Sequence, residues 1–591
     1  MPASRGKNHV IVVGIDFGTT FSGVSWAYSG QPDAIEVITR WEAELNFASD
    51  TEKTPSILYN GPQGGVSWGY GIPPDTDKEP LRWFKLLLVD AKDLPTDLRD
   101  SPQIATARRL AKNANKEPHE IISGYLRRLW NHSMECIGIS AGEDTVKACR
   151  FHVVITLPAI WPDYAKARMR RAAEGAGLLE KRQAGETTLA FISEPEAAAL
   201  ATTKDVACKP MAKVGDHFVV CDAGGGTVDL ITYEITSLNP TVVREAIKGD
   251  GALCGGVFLD EAFIELIKNK VTPRAWAKVP VEEAANMLNC DWENGIKQRY
   301  EGQIGRTWNV RLPPECQVAN TPKRGIKRKR NLLLSNDDLL PVFEPIAQKI
   351  RALIQKQIDG VQQKCGKLPK TVILVGGFGR SRYIHNHVKS SLSGGITLLQ
   401  SMGTKPWTAI CRGATIQGLT QMNLNPGLSV SVKSRISRAS YGIFYNTEYD
   451  PKKHDAEDKY WSEERQEWEA TNQMEWFLTQ GMDVSTTEPV RREYWKLYSS
   501  APKEIVSSFH FTSASPVPKR RNSSVEKLCD VIWNKKIDFE ALPRYVNPLG
   551  KVFHRLEYTV EMVCAGASID FAVIHGGKRV CSKNISVDFE A

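Results

Sequence analysis

The chain has 591 residues, 42% of them hydrophobic and 24% charged, with a formal net charge of +8. That length exceeds a single hydrophobic core and calls for about two to four domains of ordinary globular composition. The modest charge, spread over both signs, argues against nucleic-acid binding, which concentrates basic residues on one face; no apolar run reaches the roughly 20 residues of a membrane helix.

The twelve Cys show neither CxxC pairs nor a Cys/His spacing, so a zinc site or disulfide scaffold is not expected. Reduced thiols fit a cytoplasmic or nuclear compartment. The first residues, MPASRGKNHV, run straight into a strand without an apolar leader segment, so a secretory signal is not expected.

In chain order, short β-branched runs alternate with amphipathic runs between about Asn8 and Asn423, an α/β pattern. Strands are expected at Val10–Ile15, Phe151–Leu157, Phe218–Cys221, Leu230–Glu234 and Thr371–Val375. Helices are expected at Pro118–Cys136, Asp163–Ala176, Val257–Lys270 and Asp337–Gln357; in the first, Ile121, Tyr125, Leu129 and Trp130 share a face. After about Leu424 the pattern changes to strands with one buried face: Leu556, Tyr558, Val560 and Met562, then Ile569, Phe571 and Val573, with turns at Gly566 and Gly576–Gly577 and a last strand-like run at Ile585–Phe589. The charged stretch from Asp450 to Asn472 reads as an insertion or long loop, and the polar stretch from Ser513 to Ser524 as a flexible segment.

One phrase occurs twice. Residues 11–28 read IVVGIDFGTTFSGVSWAY and residues 218–235 read FVVCDAGGGTVDLITYEI. Each is an apolar strand, an Asp, a Gly/Thr turn and a second strand. Gly18 lets the backbone approach a phosphate, and Thr19 and Thr20 add hydroxyl and N–H donors. Gly224, Gly225, Gly226 and Thr227 repeat the plan. Asp16 and Asp222 at the mouths of the turns suit Mg²⁺, mostly through its waters, and Asp229 stands near enough in sequence to join them. A single copy reads equally well as a plain hairpin; two copies favour a polyphosphate held between facing turns.

Two further motifs fall at strand ends. In TVILVGGFGRSRYIHNHV a buried strand runs into Gly376 and Gly377, where a base or ribose can lie on bare backbone, and Arg380 can stack on it; a helix should begin near Ser381, and taken alone the motif reads rather as an ordinary tight strand–helix turn. In FISEPEAAAL, Pro195 suits a first helical turn, which puts Glu194 at a strand-to-helix switch or makes it a capping acid.

Taken together, GIDFGTTFS, ITLPAIW, ISEPEAAAL, CDAGGGTVDL and LVGGFGRS resemble, in order, the nucleotide-binding domain of the heat-shock protein 70 family, within the actin, hexokinase and heat-shock ATPase superfamily. The resemblance covers about Val10 to Leu419. It implies an α/β fold: a duplicated actin-like (ribonuclease H-like) two-lobe ATPase domain at 8–423, followed by a β-rich C-terminal domain at 424–591. Lobe I would span about 8–215 and lobe II about 216–370, with 371–423 returning to the lobe interface.

The resemblance also implies ATP or ADP with Mg²⁺ as cofactors. Asp16, Asp222 and Asp229 would serve the hydrated metal; Gly18, Thr19, Thr20, Phe21 and Gly224 to Thr227 the phosphates, with Gly255 and Gly256 close by. Gly376, Gly377 and Arg380 would meet adenosine, and Lys297 and Arg299 the adenine from the other side. Glu194, with Asp16 and Asp222, would take part in hydrolysis. Lys85 in RWFKLLL resembles a lysine that orients the attacking water, although an exposed helical lysine reads as well. Pro158 matches a proline that passes the nucleotide state onward.

Three departures stand against the family pattern. The linker region, TQMNLNPGLSVSVKSRIS, lacks a run of leucines and acids. The C-terminal region matches no motif of the usual peptide-binding sandwich, and no long helical lid follows. Three functions remain open: a slow ATPase chaperone acting on protein or peptide clients, with co-chaperones as further partners; a nucleotide-dependent switch or scaffold with one dedicated partner; and a small-molecule kinase. Nucleic acid and a membrane span are not expected. TPKRGIKRKR, residues 321–330, reads as a solvated loop or a nuclear signal.

Overall fold

The computed structural model describes residues 9–43, 51–61, 65–73, 76, 78–94, 99–158, 161–206, 213–238, 241–271, 273–316, 326–327, 331–424, 431–485, 488–533, 537–565 and 568–584. The chain divides into two units, Met1–Val243 with Gly249–Ser431, and Arg244–Lys248 with Val432–Ala591.

The first unit is mixed α/β. Strands β1 (Val10–Phe17) and β2 (Phe21–Tyr28) form the first hairpin, with Asp16 opposite Gly23. Helix α1 (Pro118–Ala141) leads to β3 (Arg150–Leu157), which pairs in parallel with β1; α2 (Asp163–Gly175) then leads to β4 (Thr188–Ser193), parallel to β3. The all-buried pattern of β1 and the apolar run of β3 are what a sheet covered on both faces requires.

The second sheet repeats this plan. After α3 (Glu194–Val206), β5 (His217–Ala223) and β6 (Val228–Leu238) make the second hairpin, with Asp222 opposite Asp229. Strand β7 (Thr241–Ala252) follows, then α4 (Gly256–Val271) and α5 (Asn336–Cys365). Next, β8 (Thr371–Val375) pairs in parallel with β5, placing Val375 beside Asp222. Every strand and helix expected from periodicity in this half is present, most a few residues longer than its pattern showed. The last helix, α6 (Lys405–Gln421), crosses back onto β1, β2 and α3. It approaches α3 so closely that a Cβ at Gly413 would lie 1.7 Å from the Ala197 carbonyl oxygen.

Among its described residues the second unit contains strands and one short 3-10 turn. One sheet runs in the order Lys459–Ser462, Glu467–Leu478, Ser440–Glu448, Ile505–Thr512, Glu526–Trp533. A second joins Val490–Tyr498, Val552–Ala565, Ser568–His575 and Lys578–Asn584. The alternating residues of the sequence pattern, Leu556, Tyr558, Val560, Met562, Phe571 and Val573, are buried with Phe509 and Trp533 in one core. The Gly576–Gly577 turn has φ of +56° and +71°, values glycine adopts without strain. Gly566, the run at Ile585–Phe589 and most of TPKRGIKRKR lie outside the described residues.

Two expectations for this half need correction. The stretch from Asp450 to Asn472 is not a long loop: it supplies the paired strands Lys459–Ser462 and the start of Glu467–Leu478. Its charges hid the pairing because they neutralise each other locally, Arg465 bonding both Glu467 and Glu469. Nor is Ser513 to Ser524 free of the sheet. The Trp476 indole donates to the Pro518 carbonyl, Met474 N–H to the Lys519 carbonyl, and Arg520 pairs with Asp455 and the buried Asp458. A third feature was invisible to pattern reading: residues 244–248 of β7 group with the second unit, where Glu245 is buried, accepts from Ile436 N–H and pairs with Arg438 at 2.6 Å.

Two stability predictions follow from this packing. Gly413→Ala should destabilise the protein by about 1–3 kcal/mol through overpacking, read by urea unfolding. In the second unit, burial first, then the positive charges of Arg521 and Lys527, push the His510 imidazole down to about 4. Between pH 6.5 and 4 the unfolded chain therefore binds a proton that the folded one does not, so stability falls as the pH falls through that window. His510→Gln should flatten this acid slope by roughly 2 kcal/mol, measured as unfolding free energy against pH.

Candidate functional site

The two hairpins face each other across their turns. A Cβ on Gly225 would sit 1.8 Å from the Thr20 hydroxyl oxygen, and one on Gly226 would sit 3.2 Å from the Thr19 methyl. At Gly225 only glycine permits this approach, which brings the Gly18–Thr20 and Gly224–Thr227 turns together along one seam. Gly255 and Gly256 are built into the second turn: their N–H groups donate to the Gly226 and Gly224 carbonyls, and Val257 N–H to that of Gly225. They therefore shape the cradle rather than offer free donors to it.

Four acidic side chains gather behind the turns, all buried: Asp16, Glu194, Asp222 and Asp229. Their surroundings differ. Lys53 donates to Asp16 at 2.5 Å, and the Thr156 hydroxyl approaches its other oxygen at 3.5 Å. Lys85 donates to Glu194 at 2.5 Å. By contrast, Asp222 Oδ1 and both Asp229 oxygens have no hydrogen-bond partner.

Electrostatics follows from this layout. Burial raises the pKa of Asp222 well above the carboxylate range, reinforced by the charges of Glu194, Asp229 and Asp16. Burial, then Glu194, raises Asp229 to about 7; the Thr227 hydroxyl opposes that rise without forming a well-aligned hydrogen bond. Burial also raises Glu194, with Lys85 opposing. Paired like charges in a dry site cost free energy that a proton or a cation removes.

Unpartnered buried carboxylate oxygens beside a glycine cradle are the donor set a hydrated divalent cation needs. Among the described residues no three His, Cys, Asp or Glu groups converge tightly enough to bind a metal directly.

Lys85 is not an exposed helical lysine. It lies in the 3-10 turn Phe84–Leu88, 2% exposed, its ammonium 5.4 Å from the Trp161 ring centroid and 5.8 Å from that of Phe17. Glu194 opens α3 directly after β4, with Pro195 in the first turn, as its motif implied. Buried Pro158 directly follows β3 and its carbonyl accepts from Trp161 N–H.

On the expected adenosine side, Gly376 has φ +86° and backs onto Asp222, since a Cβ there would lie 2.5 Å from Asp222 Oδ1. Gly377 packs on Trp407; Arg380 lies over the same indole at 5.6 Å, and Phe21 meets its edge at 6.0 Å. Lys297 is buried, bonded to Asp260 and Glu293, and close to Gly256. Burial alone would lower its pKa, but the two carboxylates outweigh this and hold it above the usual lysine value. Arg299, two residues on, is exposed, unlike the buried Lys297.

Sequence reasoning missed Lys53, Trp407, Asp260 and Glu293. Asp260 and Glu293 had one available signal, since Glu293 stands four residues before Lys297, the spacing of a helical ion pair. Lys53 had none, because its partner Asp16 is 37 residues away.

Comparison with known proteins gives the family. A family model described as Hsp70 protein matches residues 90–426, and another described only as a domain of unknown function matches residues 435–575. The human heat shock 70 kDa protein 12B is 26% identical over 582 residues, covering 83% of this chain and 79% of that protein. The mouse heat shock 70 kDa protein 12A is 25% identical, with 83% and 80% covered. The chaperone protein DnaK of Thermoplasma volcanium is 29% identical over 265 residues, 45% of this chain and 39% of that protein.

Removing Lys85 alone should be costly, because it strands a buried carboxylate. Lys85→Met should destabilise the protein by about 3–5 kcal/mol, and adding Glu194→Gln should recover most of that. Chemical denaturation of the two single variants and the double variant measures the coupling.

Proposed function

Because the chain belongs to the Hsp70 family, we propose that it is an ATP-binding protein that hydrolyses ATP slowly with Mg²⁺ and uses the cycle to control binding of protein clients by its C-terminal unit. The observation that carries the reading is the pair of facing Asp–Gly–Thr hairpins, with unpartnered buried carboxylate oxygens behind a glycine cradle.

In this reading the backbone N–H groups and hydroxyls of Gly18–Thr20 and Gly224–Thr227 hold the polyphosphate. Asp222 and Asp229, with Asp16 across the seam, would hold hydrated Mg²⁺, which supplies charge neutralisation at the phosphates when bound. Lys85, pinned by Glu194 and the rings of Phe17 and Trp161, orients the attacking water. Glu194, engaged by Lys85 at 2.5 Å, then acts chiefly by holding that ammonium in place. Rate enhancement rests on positioning and fixed charge, consistent with slow turnover. Gly376 and Gly377 leave room for the ribose, while Arg380 on Trp407 and Lys297 bound the base side. The buried Pro158, one residue past β3, is suited to relay closure of the lobes.

A second reading keeps the nucleotide site but gives the C-terminal unit one dedicated partner. It is favoured by the separate family match of that unit, which falls outside the Hsp70 model. Cytoplasmic residence suits either.

Asp222→Asn and Asp229→Asn should each lower single-turnover Mg-ATP hydrolysis by about 10²-fold or more, the scale of losing a preorganised charge in such a site. Rates equal to wild type in both would refute the site. Release of a bound unfolded peptide on adding ATP would support the chaperone reading; a complex formed with a single partner and indifferent to unfolded peptides would support the scaffold.

A further inference from the structure

The two hairpins are copies of one plan with one difference at the same register position. In the second, Asp222 on β5 faces Asp229 on β6 directly across the ladder. In the first, Asp16 on β1 faces Gly23 on β2. Cross-strand partners present their side chains on the same face, so Gly23 leaves open the place that Asp229 fills in the other copy.

That place is filled from a third strand. The short Thr54–Pro55 segment pairs with β2, Phe21 opposite Pro55 and Ser22 opposite Thr54. Continuing the register by one residue brings Lys53 to Gly23, and the stem of Lys53 lies so close that a Cβ on Gly23 would be 2.9 Å from Lys53 Cγ. The ammonium then meets Asp16 at 2.5 Å, with Lys53 only 5% exposed. Where the second hairpin has two carboxylates, the first has a carboxylate and an ammonium group.

We propose that Lys53 is a resident counter-ion of the phosphate site, neutralising Asp16 so that the net negative charge that recruits the divalent cation comes from Asp222 and Asp229, with Asp16 meeting it only through water, and nucleotide binding persists when the metal is removed. The proposal rests on the ATP-binding reading above and deepens it. A lysine held by strand register cannot be diluted away as a free cation can. Three residues on, the Ser56 hydroxyl donates to the Gly18 carbonyl of the first turn, which fastens the Lys53 segment to that turn and leaves a charge-assisted contact from the ammonium to a phosphate oxygen within its reach.

The test is equilibrium binding of a fluorescent ATP analogue to the full chain, in Mg²⁺ and in EDTA, with thermal shift by Mg²⁺ alone as a second readout. Wild type should lose roughly tenfold or less on removal of Mg²⁺, whereas Lys53→Met should lose about 100-fold or more, one further decade for one charge-assisted contact. Lys53→Arg should stay near wild type. Without nucleotide, Mg²⁺ should raise the melting temperature of Lys53→Met more than that of wild type, because Asp16 then lacks its cation. Asp16→Asn, which keeps the lysine and removes a buried charge instead of stranding one, should tighten binding in EDTA. Equal metal dependence in wild type and Lys53→Met, or weaker metal-free binding in Asp16→Asn, overturns the proposal. A uniform loss in Lys53→Met with and without Mg²⁺ assigns the lysine a purely structural role and overturns it too. Absence of binding by wild type in both buffers refutes the ATP reading itself, and the proposal falls with it.

Discussion

Four buried carboxylates held against two buried ammonium groups, behind two turns that touch, form the constraint around which the nucleotide unit is organised. Such a cluster is unfavourable in isolation, because desolvation and like-charge repulsion act together. The immediate strand neighbours of Asp16, Asp222 and Asp229 (Ile15 and Phe17, Cys221 and Ala223, Val228 and Leu230) are apolar and buried, so the cost is confined to one seam while the sheets on either side supply the burial. Features that look like separate motifs serve this seam. Gly376 makes room beside Asp222, Gly225 admits Thr20, and Gly255 and Gly256 tie the second turn to the start of α4.

The same constraint explains the asymmetry between the lysines. Lys85 and Lys53 both reach carboxylates at 2.5 Å, yet from unrelated supports. Lys85 stands on a 3-10 turn and is steered by the rings of Phe17 and Trp161. Lys53 is set by strand register against a glycine. Each neutralises one acid, leaving Asp222 and Asp229 as the pair without a cation of its own. A duplicated fold has thereby become chemically unequal in its two halves, which a single polyphosphate requires, since its two ends differ in charge and in chemistry.

The C-terminal unit is organised on different grounds. Its core is a packed set of alternating strand residues around Phe509, Trp533 and Phe571, and its polar stretches are fastened to one another by ion pairs such as Arg520 with Asp458. That is why charge content misled the reading of Asp450 to Asn472: Arg465 at the turn pairs with Glu467 and Glu469, and Arg520 with Asp455 and Asp458, so these charges need no loop to solvate them.

Much of the nucleotide unit was legible in the sequence. The order of strands and helices, the two Asp–Gly–Thr turns, the Gly376–Gly377 strand end and the helix beginning at Glu194 all arise from patterns within some 10–20 residues, where side-chain period and turn chemistry act directly on the local backbone. What only the tertiary structure decided lies between segments far apart in the chain: that Lys85 is buried on Glu194, that Lys53 fills the space left by Gly23, that Trp407 carries Arg380, and that residues 244–248 group with the C-terminal unit. A lysine has the same local propensity whether it meets water or a buried carboxylate, so its role is set by the partner the fold delivers, and no spacing in the sequence records that.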